Sequence, residues 1–253
     1  FYKSPNESSI NHRIKVLQIT DFFKKIPDFQ FFFVFLQQIL NSKIMNGYRQ
    51  RIADSLLKDK LDAFGAVLIE GPKWCGKTTT AEQQAKSILY MADPSRLNQN
   101  KELARINPHF LLEGSTPRLI DEWQEAPQLW DAARFEIDHR SEIGQFIFTG
   151  SAVPADSSLL SHTGTGRFSW LRMRPMSLFE SGESTGEISL SAIIKGDKKQ
   201  FGTSRLSLED VAFLLCRGGW PQAVGMKNKP ALAQAYAYLD AVVKSDISRA
   251  DNV

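Results

Sequence analysis

The stretch FGAVLIEGPKWCGKTTTAEQQAKSILYM, Phe64 to Met91, constrains this chain more than any other. A short apolar run closes on Glu70-Gly71, as expected of a strand buried in a parallel sheet. A segment rich in helix formers begins at Lys77. Between them lies the spacing Gly-x-x-x-x-Gly-Lys-Thr, carried by Gly71, Gly76, Lys77 and Thr78. The glycines allow backbone angles and close approaches that a Cβ would block. The loop amides can then turn inward around phosphate oxygens. Lys77 is placed to reach β- and γ-phosphates, and the Thr78 hydroxyl to bind Mg²⁺. The expected nucleotide-binding set is Gly71, Pro72, Lys73, Trp74, Cys75, Gly76, Lys77, Thr78 and Thr79. The competing reading is a plain glycine turn with an exposed lysine. Cys75 reads as a small filler, or as a thiol activated by a helix N-terminus. Trp74 reads as a packing residue or an adenine contact.

A phosphate cradle alone only binds; hydrolysis also needs an acid near the metal and a base for water. The run PRLIDEWQEAP ends a brief strand on Asp121-Glu122. Adjacent strand positions point in different directions, so Asp121 can address Mg²⁺ through water while Glu122 faces the attacking water. A third strand, Gln145 to Phe148, ends in Thr149-Gly150-Ser151. Nucleotide sites of open α/β sheets lie at such carboxyl ends. Thr149 is therefore the expected γ-phosphate or water contact, with Ser151 second. Arg167 follows two glycines and is the candidate for neutralising transition-state charge in a neighbouring subunit. Arg172 and Arg174 alternate on one strand face. His162 reads as solvated.

The periodicity predicts strands over 64–70, near 109–113, and over 118–122, 145–149 and 168–173. It predicts helices over 77–90 and 127–140, a polar helix between Pro94 and Pro108, and helical pieces over 206–216, capped by Ser207, and 229–246. This alternation indicates an α/β fold, a parallel sheet flanked by helices.

Composition adds boundaries. Residues 1–44 contain no Gly, Ala or Met but eight of the 17 Phe. Their apolar core, FQFFFVFLQQIL, is shorter than the roughly 20 residues that span a bilayer. They read as a leader outside the native fold, or as an N-terminal helix packing its Phe on the body. The chain holds 31 basic and 28 acidic residues. The leader takes six and three of these, so 45–253 is neutral and the basic pI is no argument for nucleic-acid binding. Two distant cysteines form no disulfide framework. They suit a reducing, cytoplasmic setting, and no membrane partner is expected.

The blocks GPKWCGKTTTA, PRLIDEWQEAP, FIFTGSAVP and GRFSWLRMRPMSLFESG, in this order, resemble the prokaryotic AAA-type P-loop ATPases that carry a C-terminal domain of unknown function. The resemblance runs from Met45 to the chain end. It implies an additional-strand, catalytic-Glu fold with sheet order 5-1-4-3-2. Gly71 to Thr78 then match the Walker A loop, Asp121 and Glu122 the Walker B pair, Thr149 the sensor strand end and Arg167 a finger-like position. RGGWPQAV resembles the opening of the C-terminal domain, which is mainly helical and partial here. The implied organisation is a leader over 1–44, an ATPase domain over 45–180, a polar connector over 181–205 and the partial domain over 206–253. The resemblance implies ATP and Mg²⁺ as cofactors, with Thr78 and Asp121 at the metal and Glu122, Thr149 and Arg167 as catalytic residues. An arginine acting in trans requires a homo-oligomer. A protein client is expected, and DNA by family analogy alone. The alternatives are a nucleotide-gated interaction module with little turnover, a small-molecule kinase and an inactive remnant.

Overall fold

The computed structural model describes residues 47–150, 164–197 and 201–247. The leader, Ser151 and His162 lie outside the described residues. The chain divides into two compact units, Phe1–Gln50 and Arg51–Val253.

Within the second unit the elements run α1 (Ile52–Leu61), β1 (Ala66–Glu70), α2 (Lys77–Glu82), β2 (Ser87–Tyr90), α3 (Leu97–Ile106), α4 (Pro108–Leu112) and β3 (Arg118–Asp121). A single 3₁₀ turn, Trp123–Glu125, leads to α5 (Gln128–Arg140), β4 (Phe146–Thr149) and β5 (Phe168–Arg172). The helical remainder is α6 (Leu178–Ser181), α7 (Leu190–Ile194), α8 (Leu208–Arg217) and α9 (Asn228–Ala241), the last continuing as a π-helix over Val242–Ile247.

The five strands lie in the order β2-β3-β4-β1-β5, which is the 5-1-4-3-2 arrangement read from the other edge. Every pairing is parallel. Parallel strands need crossovers, and α2 through α5 supply them. The central strand β4, FIFT, is buried along its whole length. Strand alternation sends its side chains to opposite faces, so each face has its own core. Ala66, Leu68, Ile120, Phe146, Phe148 and Phe168 pack beneath α5, where Trp130 stacks on Phe168 with centroids 3.9 Å apart. Val67, Ile69, Leu119, Ile147 and Leu171 pack beneath α1 and the loop after β1.

Two element predictions are corrected. The helix expected over 77–90 stops at Glu82, and Ser87–Tyr90 is the edge strand β2. The Lys86 amide donates to the Pro117 carbonyl at 2.8 Å, opening the ladder with β3. Tertiary pairing overrides the helix-forming composition. The strand expected near 109–113 is instead helix α4. Pro108 stands at its first turn, where a missing N–H costs nothing, and Leu111 and Leu112 are buried against the sheet. A short apolar run does not distinguish the two states. The polar connector also holds the short helix α7, capped by Ser189. The cap read at Ser207 is present: its hydroxyl accepts from the Asp210 amide at 3.1 Å, and Asp210 accepts from the Ser207 amide at 2.9 Å. Among the described residues no helix is long and apolar enough to cross a membrane.

Candidate nucleotide site

The sheet order places the carboxyl ends of β3, β4 and β1 side by side, with Asp121 opposite Thr149 and Thr149 opposite Ile69. The loop after β1 therefore sits directly over the last residues of β3 and β4. Asp121 Oδ1 accepts the Thr78 hydroxyl at 2.7 Å and the Thr149 hydroxyl at 2.6 Å. One carboxylate oxygen thus joins three segments that the sequence separates widely.

The loop's shape follows from its residue types. Gly71 has φ +155°, and a Cβ there would run into the Met173 carbonyl. Gly76 has φ +96° and opens α2. Trp74, at φ 64°, also takes the left-handed region. Since α2 is only six residues long, the cradle rests mainly on the loop and on Lys77. Lys77 is 7% exposed. Its ammonium donates to the Gly71 and Pro72 carbonyls at 2.9 Å each, spanning the loop it belongs to. Pro72, Lys73, Trp74 and Thr79 are exposed on the loop's outer side.

Cys75 is buried. Burial pushes its thiol up, against the opposing influence of Lys77 and Arg51. Of the two readings offered for Cys75, a buried thiol with a raised pKa favours the small filler over the activated thiol.

Glu122, the residue after β3, adopts φ 54° and ψ 47°. A left-handed glutamate costs of order 1–3 kcal/mol, and such strain gathers at functional sites. Its Oε2 accepts from the Gln124 amide. Arg167 lies at the other end of the sheet, where its carbonyl accepts from the Ala66 amide at the start of β1. Its guanidinium grips Asp138 of α5, with Nε to Oδ1 at 2.8 Å. That arginine holds the Asp138 carboxyl below its ordinary range. Arg167 is therefore not brought to its own chain's loop. Arg172 is exposed beside Glu70, and Arg174 is also exposed.

Sequence reasoning missed Arg51. It is 5% exposed, and its guanidinium fans onto three elements. Nη1 donates to the Cys75 carbonyl in the loop at 2.8 Å, Nη2 to the Arg174 carbonyl at 2.7 Å, and Nε to Glu180 at 3.0 Å. Nothing in YRQRIAD marks this residue, since its partners lie far along the chain. Glu180 carried a signal, because Ser177-x-x-Glu180 is a capping box. A second missed contact joins loop to C-terminal helices: Trp74 lies 5.9 Å from Tyr238 of α9, and Tyr238 lies 4.1 Å from Trp220.

Mg²⁺ takes oxygen ligands and keeps several waters. One carboxylate with two hydroxyls on a single oxygen, beside a phosphate cradle, is a donor set that fits it. Among the described residues no cluster of three or more His, Cys, Asp or Glu could hold a metal unaided, so the phosphates and water would complete the shell.

These features define a P-loop nucleotide-binding α/β protein. Residues 63–181 match the family model described as an AAA domain. No curated protein matches the chain. Similar solved structures include a Walker-type ATPase of Pyrococcus abyssi, at 12% identity and TM-score 0.49, covering 82% of this chain and 77% of that one. A signal-transduction ATPase with a tetratricopeptide-repeat sensor from Pyrococcus horikoshii aligns at 14% identity and TM-score 0.41, over 75% of this chain and 32% of that one. A DNA replication initiation factor aligns at 15% identity and TM-score 0.41, over 76% and 63%.

Proposed function

We propose that the chain binds ATP with Mg²⁺ and hydrolyses it at the ends of β1, β3 and β4, within an ATPase domain spanning 45–180. The observation that carries this is the single Asp121 oxygen shared by the Thr78 and Thr149 hydroxyls, next to a loop whose only buried cation is Lys77. Lys77 exchanges the Gly71 and Pro72 carbonyls for β- and γ-phosphate oxygens. Thr78 and, through water, Asp121 would hold Mg²⁺, which neutralises charge on those oxygens. Thr149 contacts the γ-phosphate or the water.

Glu122 takes one proton from the attacking water as the new oxygen–phosphorus bond forms. The bond to the bridging oxygen breaks, its electron pair leaves on ADP, and Glu122 returns its proton to solvent. A positioned base is worth about 10²–10⁴-fold in rate. Glu122→Gln is therefore expected to cut phosphate release by at least about 100-fold while ATP binding persists. A mutant rate equal to wild type would sink the hydrolytic reading.

Arg167 is proposed to act in trans, leaving Asp138 for the γ-phosphate of a neighbouring copy, since it stands at the far end of its own sheet. A cytoplasmic setting is part of the same proposal. A second reading has one observation in its favour. The Trp74–Tyr238–Trp220 contacts tie the loop to the C-terminal helices, as a nucleotide-gated module for a protein or DNA partner would require. In that case ATP binds and phosphate release stays negligible in wild type and Glu122→Gln alike.

A further inference from the structure

Gln124 is the middle residue of the 3₁₀ turn that follows Glu122. The left-handed backbone at Glu122 folds the chain back on itself, so the side chains of residues 122 and 124 meet. The Gln124 amide nitrogen donates to Glu122 Oε2. Its other end is wedged the opposite way. Gln124 Oε1 is buried with no hydrogen-bond partner among the described residues, and it lies so close to Gly150 that a Cβ there would collide with it. Gly150 directly follows Thr149. Trp123, 3% exposed and packed on Trp130 and Phe148, fixes the root of the turn. A buried acceptor without a donor is destabilising. An apolar residue would fill this place without that cost.

We propose that Gln124 is a positioning residue for the hydrolytic step: its amide holds one oxygen of Glu122 and braces it against the β4 end that carries Thr149, leaving the other oxygen for the attacking water. This rests on the ATPase reading above. The chemistry needs a neutral donor at this place. A carboxamide binds a carboxylate without competing for its charge, whereas a second carboxylate would repel it and leave the pair sharing a proton.

The test uses the 253-residue chain with Gln124→Glu and Gln124→Ala, measuring phosphate release against ATP concentration and pH. Gln124→Glu keeps size and shape, so a packing role survives it and a positioning role does not. The other charged groups of the site, Asp121 and Lys77, are unchanged in both variants. The expected result is a kcat about 10–100-fold lower in each variant, with KM for ATP within about threefold of wild type. In Gln124→Glu the acid limb of the kcat profile also moves to higher pH. Should Gln124→Ala fail to fold, Gln124→Glu alone decides. Gln124→Glu at wild-type kcat with an unmoved profile overturns the proposal, as does a raised kcat or a loss confined to KM. If wild type hydrolyses ATP and Glu122→Gln does not, those failures touch Gln124 only. If wild type releases no phosphate, the ATPase reading falls and this proposal with it.

Discussion

Lys77→Ala is expected to weaken Mg-ATP binding by at least about 100-fold. The reason is the isolation of this charge. Lys77 is 7% exposed and stands over carbonyls, not carboxylates. Among the described residues no acid pairs with its ammonium, so none of them competes with a phosphate for it. A charge-assisted hydrogen bond is worth about 1.5–3 kcal/mol, and each 1.4 kcal/mol is tenfold in affinity. Losing two such bonds to the β- and γ-phosphates leaves the loop amides and the Mg²⁺ that Thr78 and Asp121 would hold. The loop should keep its form, since Gly71 and Gly76 set its turns and Arg51 holds the Cys75 carbonyl. Calorimetric titration of wild type and variant reads the difference directly. Equal affinities would mean that the lysine never leaves its own loop.

Arg51→Ala is expected to produce the largest loss of stability. Its ion pair with Glu180 is nearly dry, with side chains 4% and 8% exposed. Breaking such a pair leaves a nearly buried carboxylate without its counter-charge and costs about 3–5 kcal/mol. In a chain of this size that is a fall in Tm of roughly 6–20 °C. Lysine should restore little, because one ammonium cannot serve the Cys75 carbonyl, the Arg174 carbonyl and Glu180 in three separate directions. Thermal unfolding followed by circular dichroism provides the check, and a Tm within a degree of wild type would contradict this role for Arg51.

The same cluster gives a pH dependence. Burial alone would raise the Glu180 carboxyl, but the Ser177 and Ile52 amides, Arg51 and the Ser177 hydroxyl together bring it below its ordinary value of 4.5. A depressed carboxylate stabilises the fold above that value. The contribution is lost as pH falls through the lower folded-state value, when Glu180 takes up a proton. Stability should therefore decline on acidification below about pH 4.5, and less steeply in Arg51→Ala.

The residues that could be read from sequence are those whose meaning is local. Gly71, Gly76, Lys77 and Thr78 are fixed by spacing within one turn of chain. Asp121 and Thr149 each end an apolar run, which is where a parallel sheet presents its ligands. Strand β2 escaped because Ser87–Tyr90 has helix formers before it and only four residues of its own. Its strand character comes from pairing with β3, a contact that no local pattern encodes. The apolar run of α4 mimics a strand in sequence, so five strands are expected and one of them falls on Pro108–Leu112 in place of Ser87–Tyr90. Arg51 and Gln124 escaped for a related reason. Arg51 acts through carbonyls more than 20 residues away, and Gln124 through a left-handed turn that its sequence does not signal.

The most direct measurement is equilibrium binding of Mg-ATP to the wild-type chain, with and without EDTA. The geometry around Asp121 and Lys77 predicts saturable binding of one nucleotide per chain, markedly weakened when the metal is removed. A titration that stays flat up to millimolar Mg-ATP would contradict it.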